Sequence, residues 1–334
     1  MMVWLALFFL IGVIGTWLAR AYAVQRNLLD HPGERRSHGT PTPRGGGISI
    51  VLVLLVASLA LAMRDPARAL LWLGFALALL LVAGVGWWDD HRPLPAWLRL
   101  LVHAIAAAIL SMAVFSAYGE AWLAVATFAV ALVLTNVWNF MDGINGLAAS
   151  QAALVAAAYA AVLSGSAWGW LGWALVMACL GFLPFNFPRA RIFLGDVGSG
   201  ALGFAIAALA IAAVGEGQLA WPLALVPLSA FIIDAGLTLG RRLLRGERWW
   251  VAHAQHAYQG WARRVGSHVP VTIGYAAWSA LGLVLMDGAA PRAGFFLTLA
   301  VVLAWYMSGA FFWWRLQRRG ARNRRADQVE WRKE

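Results

Sequence analysis

Charged side chains are scarce in this sequence: Asp, Glu, Lys and Arg make up 12% of its 334 residues, whereas 62% are hydrophobic. A water-soluble protein has to cover its surface with polar groups, and this composition does not allow it. Apolar runs of roughly 20 residues, the length that crosses a bilayer as a helix, fill most of the chain. The composition therefore excludes a soluble protein and predicts a polytopic membrane protein.

Cysteine is nearly absent, since Cys179 is the only one and lies within an apolar run. An internal disulfide and a thiolate metal site are both excluded, and we interpret Cys179 as a small core residue. The chain also lacks Pro-rich or Ser-rich linkers and any repeat of fixed period. We therefore predict one integral-membrane domain over residues 1–314, followed by a basic cytoplasmic tail over 315–334.

No Lys or Arg precedes the first apolar run, residues 3–18, and the first basic residue, Arg20, follows it. A secretory signal peptide has the opposite polarity, although residues 21–23 (Ala-Tyr-Ala) resemble a cleavage site. We expect an uncleaved helix that begins on the outer side of the membrane.

The apolar pattern predicts an all-α bundle of about eleven transmembrane helices. Of the 26 Lys and Arg residues, all but Arg64, Arg68 and Arg292 fall on one side of this topology, which the positive-inside rule assigns to the cytoplasm. Basic residues placed between spans are typical of membrane topology, so the net charge of +11 does not indicate nucleic-acid binding. The C-terminus is predicted to be cytoplasmic. The predicted spans are 2–23, 47–63, 69–88, 97–115, 121–139, 147–164, 167–184, 199–214, 219–240, 271–286 and 293–314.

Polar residues that are energetically costly to bury in a membrane are concentrated in the predicted cytoplasmic connections between the spans. Asn136, Asn139 and Asp142 are spaced by three, which places them on one face at a helix end, and Asn145 follows in a glycine-containing turn. A polar helix cap with a glycine break is the alternative interpretation. Two amides and a carboxylate at membrane depth need partners, which favours a functional site.

A second polar segment runs from Asn186 to Asp196 and continues with Gly198, Ser199 and Gly200. A helix that starts at this point would present free N–H groups to phosphate, and the carboxylate would suit Mg²⁺. An Asp before a helix is often only an N-cap. Since several such motifs precede helices that run outward, we expect positive helix ends to converge on phosphate.

Adjacent carboxylates, Asp89 and Asp90, end the third span and repel each other unless a cation or basic group shares them. A solvated helix-end pair is the alternative. The basic connection 24–46 contains Arg36, His38 and Arg44 before a run of three glycines. It could bind lipid headgroups or one particular phosphate.

The last predicted cytoplasmic loop contains His253 and His256 among several arginines. Histidines at i and i+3 could ligate zinc, but a third ligand is not evident, and we favour binding of an anionic substrate. Asp234 is predicted to neutralise an arginine such as Arg241. The tail from Arg315 is predicted to hold the chain to the anionic leaflet, outside the site.

These motifs, in this order, resemble the polyprenyl-phosphate N-acetylhexosamine-1-phosphate transferase superfamily, glycosyltransferase family 4. The resemblance covers residues 30 to 260. Arg36 departs from the family pattern, since relatives often have Lys at this position. The charge is kept, but a guanidinium that can bind two oxygens at once replaces an ammonium group. The spacing His253-x-x-His256 resembles the branch that initiates O-antigen and related glycans, rather than the phospho-MurNAc-pentapeptide translocases. The motifs are Pro41-Thr-Pro-Arg-Gly-Gly-Gly47, Asp89-Asp90, Asn136-x-x-Asn139-x-x-Asp142-Gly-x-Asn-Gly-Leu147, Phe193-Leu-Gly-Asp196-x-Gly-Ser199 and His253-x-x-His256.

The resemblance implies that a UDP-N-acetylhexosamine and undecaprenyl phosphate react, with Mg²⁺ (or Mn²⁺), to give the lipid-diphosphate-sugar and UMP. It implies Asp196 as the main metal ligand with Asp142 in support. Asp89 and Asp90 would position the acceptor or take its residual proton. The implied substrate-binding residues are Arg36, His38, Arg44, Asn136, Asn139, Asn145, Asn186, His253 and His256.

A transporter or flippase is the rival class. Transporters tend to place functional charges near the bilayer midplane, often on paired repeats, whereas this polar cluster lies at one face. The expected location is the bacterial inner membrane with the site on the cytoplasmic face. The identity of the sugar (GlcNAc, GalNAc, FucNAc or QuiNAc) and the oligomeric state, a homodimer included, are left open.

Overall fold

The computed structural model describes residues 1–30, 40–248, 250–251, 253–289 and 294–330, with backbone only from 319 onward. Arg36 and His38 lie outside the described residues. Two short strands, β1 (Leu29–Asp30) and β2 (Thr42–Pro43), pair antiparallel, and the remaining elements are helices. The helices are α1 Met2–Gln25, α2 Ile48–Arg64, α3 Ala69–His91, α4 Ala96–Tyr118, α5 Ala121–Met141, α6 Leu147–Val162, α7 Ala167–Asn186, α8 Asp196–Gly215, α9 Trp221–Ala224, α10 Ser229–Leu244, α11 Ala257–Val265, α12 Val269–Ala289 and α13 Phe295–Glu330.

The chain is an all-α polytopic membrane protein, as the composition predicts. Within the described residues, eight helices are long and apolar enough to cross a bilayer, and α2 and α6 are shorter apolar helices. The predicted ninth span, 219–240, is instead divided into α9 and α10. The cause is Pro227, which lies in the turns between these helices: proline has no N–H to donate and its ring collides with the carbonyl four residues earlier.

Helix α8 forms the centre of the bundle and is buried along nearly its whole length. It packs against α2, α3, α5 and α6. Its many Gly and Ala residues allow this close approach: a Cβ on Gly203 would lie 2.1 Å from the carbonyl oxygen of Leu134 on α5. By contrast, α1 and α13 are mostly exposed and present apolar side chains outward.

The glycine run before α2 packs directly on the start of α8. Gly46 and Gly47 donate backbone hydrogen bonds to the carbonyl oxygens of Phe193 (2.9 Å) and Leu194 (2.8 Å). A Cβ on Gly47 would lie 2.2 Å from the Cα of Gly198. The glycines are therefore required for contact between two backbones, and they hold the segment before Asp196 in place.

Gly47→Ala is expected to lower the free energy of unfolding by about 1–3 kcal/mol, because both backbones would have to move apart. Gly84→Ala is the matched control, since a Cβ at this glycine of α3 would meet nothing within 4 Å. Thermal unfolding in detergent measures the difference. Equal unfolding midpoints for the two variants would contradict the packing explanation.

Helix α13 continues without a break through residue 315, where the sequence suggests that a tail begins. The side chain of Gln317 accepts a hydrogen bond from Arg241 (3.0 Å) and donates one to the carbonyl oxygen of Gln255 (2.9 Å). The first turn beyond residue 314 therefore holds the histidine loop, residues 250–251 and 253–256, as well as extending the membrane helix.

Candidate active site

A cavity of about 330 Å³ lies at one end of the bundle, between α4, α5, α8, α10 and the histidine loop. It brings together six of the residues that the sequence singles out, from three separate segments. The carboxylates of Asp142 and Asp196 thus meet at one site, as the sequence hypothesis requires. The polar residues that line it are Arg99, His103, Asn136, Asn139, Asp142, Asp196, His253, His256, Tyr258 and Gln259.

Arg99 joins two carboxylates that the sequence places in different motifs. Its Nη1 lies 2.7 Å from Oδ2 of Asp196 and 3.1 Å from Oδ2 of Asp89. The other oxygen of Asp89 accepts a hydrogen bond from the backbone N–H of Leu94. Charge-assisted hydrogen bonds of this kind hold side chains in a fixed geometry. Asp89 therefore lies beside the cavity and acts on it through Arg99.

Asp90 is almost fully buried and caps the start of α8. Its two carboxylate oxygens accept hydrogen bonds from the backbone N–H groups of Asp196 (3.1 Å) and Val197 (3.2 Å). The positive charge of Arg44 acts on the same carboxylate, and neither residue lines the cavity. Asp90 therefore orients Asp196, while both of its oxygens are already engaged.

The prediction that positive helix starts converge on phosphate does not hold for α2, α6 and α8, whose first N–H groups are engaged within the protein. Asp90 takes the first N–H groups of α8, the carbonyls of Phe193 and Leu194 take those before α2, and Asn186 Oδ1 accepts from Gly146 before α6 (2.7 Å). The first N–H groups of a helix need partners, and a buried loop supplies them from within the protein. These three helix starts therefore offer few free N–H groups to a phosphate.

Asp142 has an uncommitted carboxylate. It follows directly after α5, lines the cavity, and its side chain makes no hydrogen bond to any described residue. Burial, together with the negative charges of Asp196 and Asp90, raises the pKa of Asp142 to about 8. A cation placed between Asp142 and Asp196 would reverse this effect.

The two amides on α5 are held by neighbouring helices. Nδ2 of Asn139 donates to Oγ of Ser199 on α8 (3.0 Å). Nδ2 of Asn136 donates to the carbonyl oxygen of Leu132 (2.8 Å), and its Oδ1 lies 3.3 Å from Nδ1 of His103. The spacing of three therefore puts both amides in the cavity, as predicted, with partners that the sequence does not reveal.

Asn145 and Asn186 lie away from the cavity lining. Asn186 is buried, and its Nδ2 donates to the carbonyl oxygen of Ile192 (2.9 Å). Nδ2 of Asn145 donates to the carbonyl oxygen of Pro188 (3.2 Å). These contacts connect the loop before α6 to the loop before α8. In this conformation Asn145 and Asn186 therefore support the site without lining the cavity.

His253 and His256 lie on the side of the cavity formed by the histidine loop, with ring centroids 4.9 Å apart. Burial and the adjacent charges of His256 and Arg242 lower the pKa of His253 to about 4, so it is neutral near pH 7. A neutral imidazole can accept a hydrogen bond on one nitrogen and donate one on the other.

Asp234 does not neutralise Arg241, which corrects the sequence prediction. Its carboxylate accepts hydrogen bonds from the backbone N–H groups of Ala257 (2.8 Å) and Tyr258 (3.0 Å) and from the hydroxyl of Tyr275 (2.7 Å). It also lies 3.7 Å from His256. Asp234 therefore caps α11 as Asp90 caps α8, and each cap fixes one wall of the cavity.

The donor set fits a Mg²⁺ ion that is completed by substrate. Within the described residues no group of three His, Cys, Asp or Glu side chains could hold a metal alone. Mg²⁺ is usually bound by one or two carboxylates together with phosphate oxygens and water. Asp142, with its uncommitted carboxylate, and Asp196 match that requirement, and Asp196 would have to share its charge with Arg99.

Sequence reasoning missed Arg99, His103 and Ser199 as site residues. Arg99 and His103 are four residues apart in an otherwise apolar helix, so they share one face. Ionisable groups inside an apolar span are costly, and this signal could have identified both. Ser199 had no such signal, because a serine is common near a helix start.

The bundle and its cavity define a polytopic membrane protein with an acidic and amide-lined site at one end. The chain belongs to glycosyl transferase family 4, whose model matches residues 72–214. This match includes α3, α4, α5 and α8, which carry most of the cavity.

Several relatives are similar over longer segments. A phospho-N-acetylmuramoyl-pentapeptide-transferase of Moorella thermoacetica is 35% identical, over 58% of this chain and 68% of its own length. An undecaprenyl-phosphate alpha-N-acetylglucosaminyl 1-phosphate transferase of Thermotoga maritima is 29% identical, over 78% and 79%. A decaprenyl-phosphate N-acetylglucosaminephosphotransferase of Mycobacterium leprae is 32% identical, over 62% and 58%. The chain thus spans about three fifths of the mycobacterial relative.

Proposed function

We propose that this protein transfers an N-acetylhexosamine 1-phosphate, or that of a 6-deoxy relative, from a UDP-sugar to undecaprenyl phosphate and releases UMP. The observation that carries the proposal is one cavity, at the end of a membrane bundle, in which an uncommitted Asp142 faces the Asp89–Arg99–Asp196 ion-pair cluster. Membership of the family supports it, and so do the sugar-phosphate transferase names of the relatives.

In the reaction, a terminal oxygen of the acceptor phosphate attacks the phosphorus that carries the sugar. The bond from that phosphorus to the bridging oxygen breaks, and UMP leaves with the electron pair. The main difficulty is to bring two anions together, so positive charge in the cavity supplies most of the catalysis.

Arg99 is the cation that the chain itself provides. Asp196 and Asp89 hold its Nη1. The other N–H groups of its guanidinium are in a fixed fork, a geometry that suits bidentate binding of phosphate. Arg99 would therefore bind a phosphate of either substrate while its own orientation is fixed by the two carboxylates.

Mg²⁺ would be held by Asp142 and Asp196 and would neutralise charge on the diphosphate of the donor. Asn139 is placed beside Asp142 and is oriented by Ser199, so its amide oxygen can act as a further oxygen ligand or bind a sugar hydroxyl. Asp90 acts as a positioning residue, since it holds the start of α8 and thereby Asp196.

The histidine loop would bind the nucleotide. The neutral ring of His253 offers a hydrogen-bond donor and an acceptor, His256 lies beside it, and Trp250 offers an aromatic face for the base. Arg245 and Arg248, which precede this loop and are exposed, add positive charge on the solvent side. By the positive-inside rule this end of the bundle would face the cytoplasm, with the protein in the bacterial inner membrane.

The product would be the first lipid-linked intermediate of an O-antigen or a related surface glycan. The histidine spacing His253-x-x-His256 supports this branch. The relatives include both branches, so the donor sugar decides between them.

The test incubates membranes that contain the protein with undecaprenyl phosphate, Mg²⁺ and a panel of labelled UDP-sugars that includes UDP-N-acetylmuramoyl-pentapeptide. We expect organic-soluble label from one UDP-N-acetylhexosamine and release of UMP, and we expect chelation of divalent cations to abolish both. Label from the pentapeptide donor alone would place the chain in the other branch, and no label from any donor would refute the transferase proposal.

Asp196→Ala should remove the organic-soluble label, because a metal ligand and the partner of Arg99 are lost together. Membranes with equal amounts of variant and wild-type protein make the comparison. Retained activity would refute the assignment of Asp196 to the metal.

A further inference from the structure

Two polar side chains lie deeper in the cavity than its charged residues. His103 is four residues beyond Arg99 on α4, which is about 6 Å further from the end of that helix, and Asn136 is one turn deeper than Asn139 on α5. Both line the cavity, where Leu100, Ala235 and Leu239 contribute apolar walls. This layer is the part of the cavity that lies furthest from the helix ends along α4 and α5.

The hydrogen bonds of Asn136 fix the tautomer of His103. Nδ2 of Asn136 must point to the carbonyl of Leu132, since an amide oxygen there would repel it. Oδ1 therefore faces His103, whose Nδ1 has to carry the hydrogen. A second positive charge close to Arg99 on the same face of α4 would be repelled, so the neutral imidazole is favoured. Nε2 is left as an acceptor, and it makes no hydrogen bond with the described residues.

A nitrogen that can only accept a hydrogen bond binds only a ligand group that can donate one. A fully ionised phosphate has only acceptor oxygens and cannot bond to it, whereas a monoprotonated phosphate monoester has one P–OH group that can. The apolar walls beside His103 suit an isoprenoid chain and favour the less charged form of the phosphate. A lipid substrate enters from the bilayer, whereas the proposed nucleotide site is at the histidine loop.

We propose that His103, oriented by Asn136, binds the hydroxyl of the monoprotonated phosphate of a polyprenyl phosphate, and that this pair forms the acceptor side of the cavity. The inference rests on the proposed function. It divides the site into a donor side at the histidine loop and an acceptor side on α4 and α5, with Arg99 between them.

The test measures KM for both substrates in the wild type, His103→Leu and His103→Gln. His103→Leu should raise the KM for polyprenyl phosphate about tenfold, the effect of one lost hydrogen bond, with the KM for the UDP-sugar changed less than about twofold. His103→Gln can present a side-chain oxygen and should recover most of the affinity. An equal rise in both KM values, no rise in either, or a Gln variant as weak as Leu would overturn the proposal.

Asn136→Leu tests the orientation of the ring. It should raise the same KM, and the double variant should be no worse than His103→Leu alone, because both changes remove one interaction. Fully additive effects would refute the coupling. A second measurement needs no turnover: a short-chain polyprenyl phosphate should raise the unfolding midpoint of the wild type more than that of His103→Leu. If the wild type transfers no sugar from any donor, the proposed function fails; if it transfers sugar and His103→Leu binds acceptor normally, only this inference fails.

Discussion

Asp142→Asn should lower kcat about 1,000-fold and leave the fold intact. The carboxylate makes no hydrogen bond with the described residues, so little structure depends on it. Its charge, however, is what would hold a metal ion against the donor diphosphate, and the loss of one such electrostatic contact typically costs 10²–10³-fold. Asn keeps the size of the side chain and removes only the charge.

Initial rates and thermal unfolding of the same purified variant measure this prediction. Asp65→Asn is the control: Asp65 is also a carboxylate at a helix end, but it caps a turn at the opposite end of the bundle through the N–H of Arg68. We expect its kcat to remain within about twofold of the wild type. If Asp142→Asn keeps more than a tenth of the wild-type kcat, the metal assignment of Asp142 is wrong.

Arg99→Leu has the second largest expected effect, a fall in kcat/KM of about 100-fold to 1,000-fold. It removes the cation of the cavity and leaves Asp89 and Asp196, which both contact its Nη1, without their shared partner. Two carboxylates without a shared cation repel each other. Arg99→Lys keeps the charge but loses the fork, so it should recover only part of the activity.

Arg92→Leu provides the comparison, because Arg92 is exposed, just beyond the end of α3, and does not line the cavity. Its kcat/KM should match that of the wild type. Steady-state rates at several Mg²⁺ concentrations distinguish the loss of the positive charge of Arg99 from weaker binding of Mg²⁺ at Asp196. If Arg99→Leu and Arg92→Leu lose activity equally, the effect is one of general surface charge and Arg99 has no specific role.

Most of the helical pattern could be predicted from hydropathy alone, since each long apolar run formed one helix. The exception, 219–240, contains a signal that was available: Pro227 lies in the interior of the predicted span, where proline disfavours a continuous helix. The polar motifs also gave a useful set of candidates, because amides and acids are costly in a membrane and are seldom kept without a reason.

The roles within that set could not be predicted. Asp89 and Asp90 are adjacent in sequence and chemically identical, yet one binds Arg99 and the other caps α8. Successive residues on a helix point in directions about 100° apart, so each meets a different neighbour. Asp234 has the same ambiguity: its charge suggests a basic partner, but it caps α11.

Hydropathy and the cost of burying polar groups act locally along the chain, so the residues alone predict a membrane-embedded helical protein with acids and amides toward one end. Which carboxylates are uncommitted, which are engaged by helix starts, and that Arg99 and His103 belong to the site follow from the packing of the helices. Hydrogen-bond partners are set by packing between helices that are distant in sequence, such as α3 with α8 and α4 with α5.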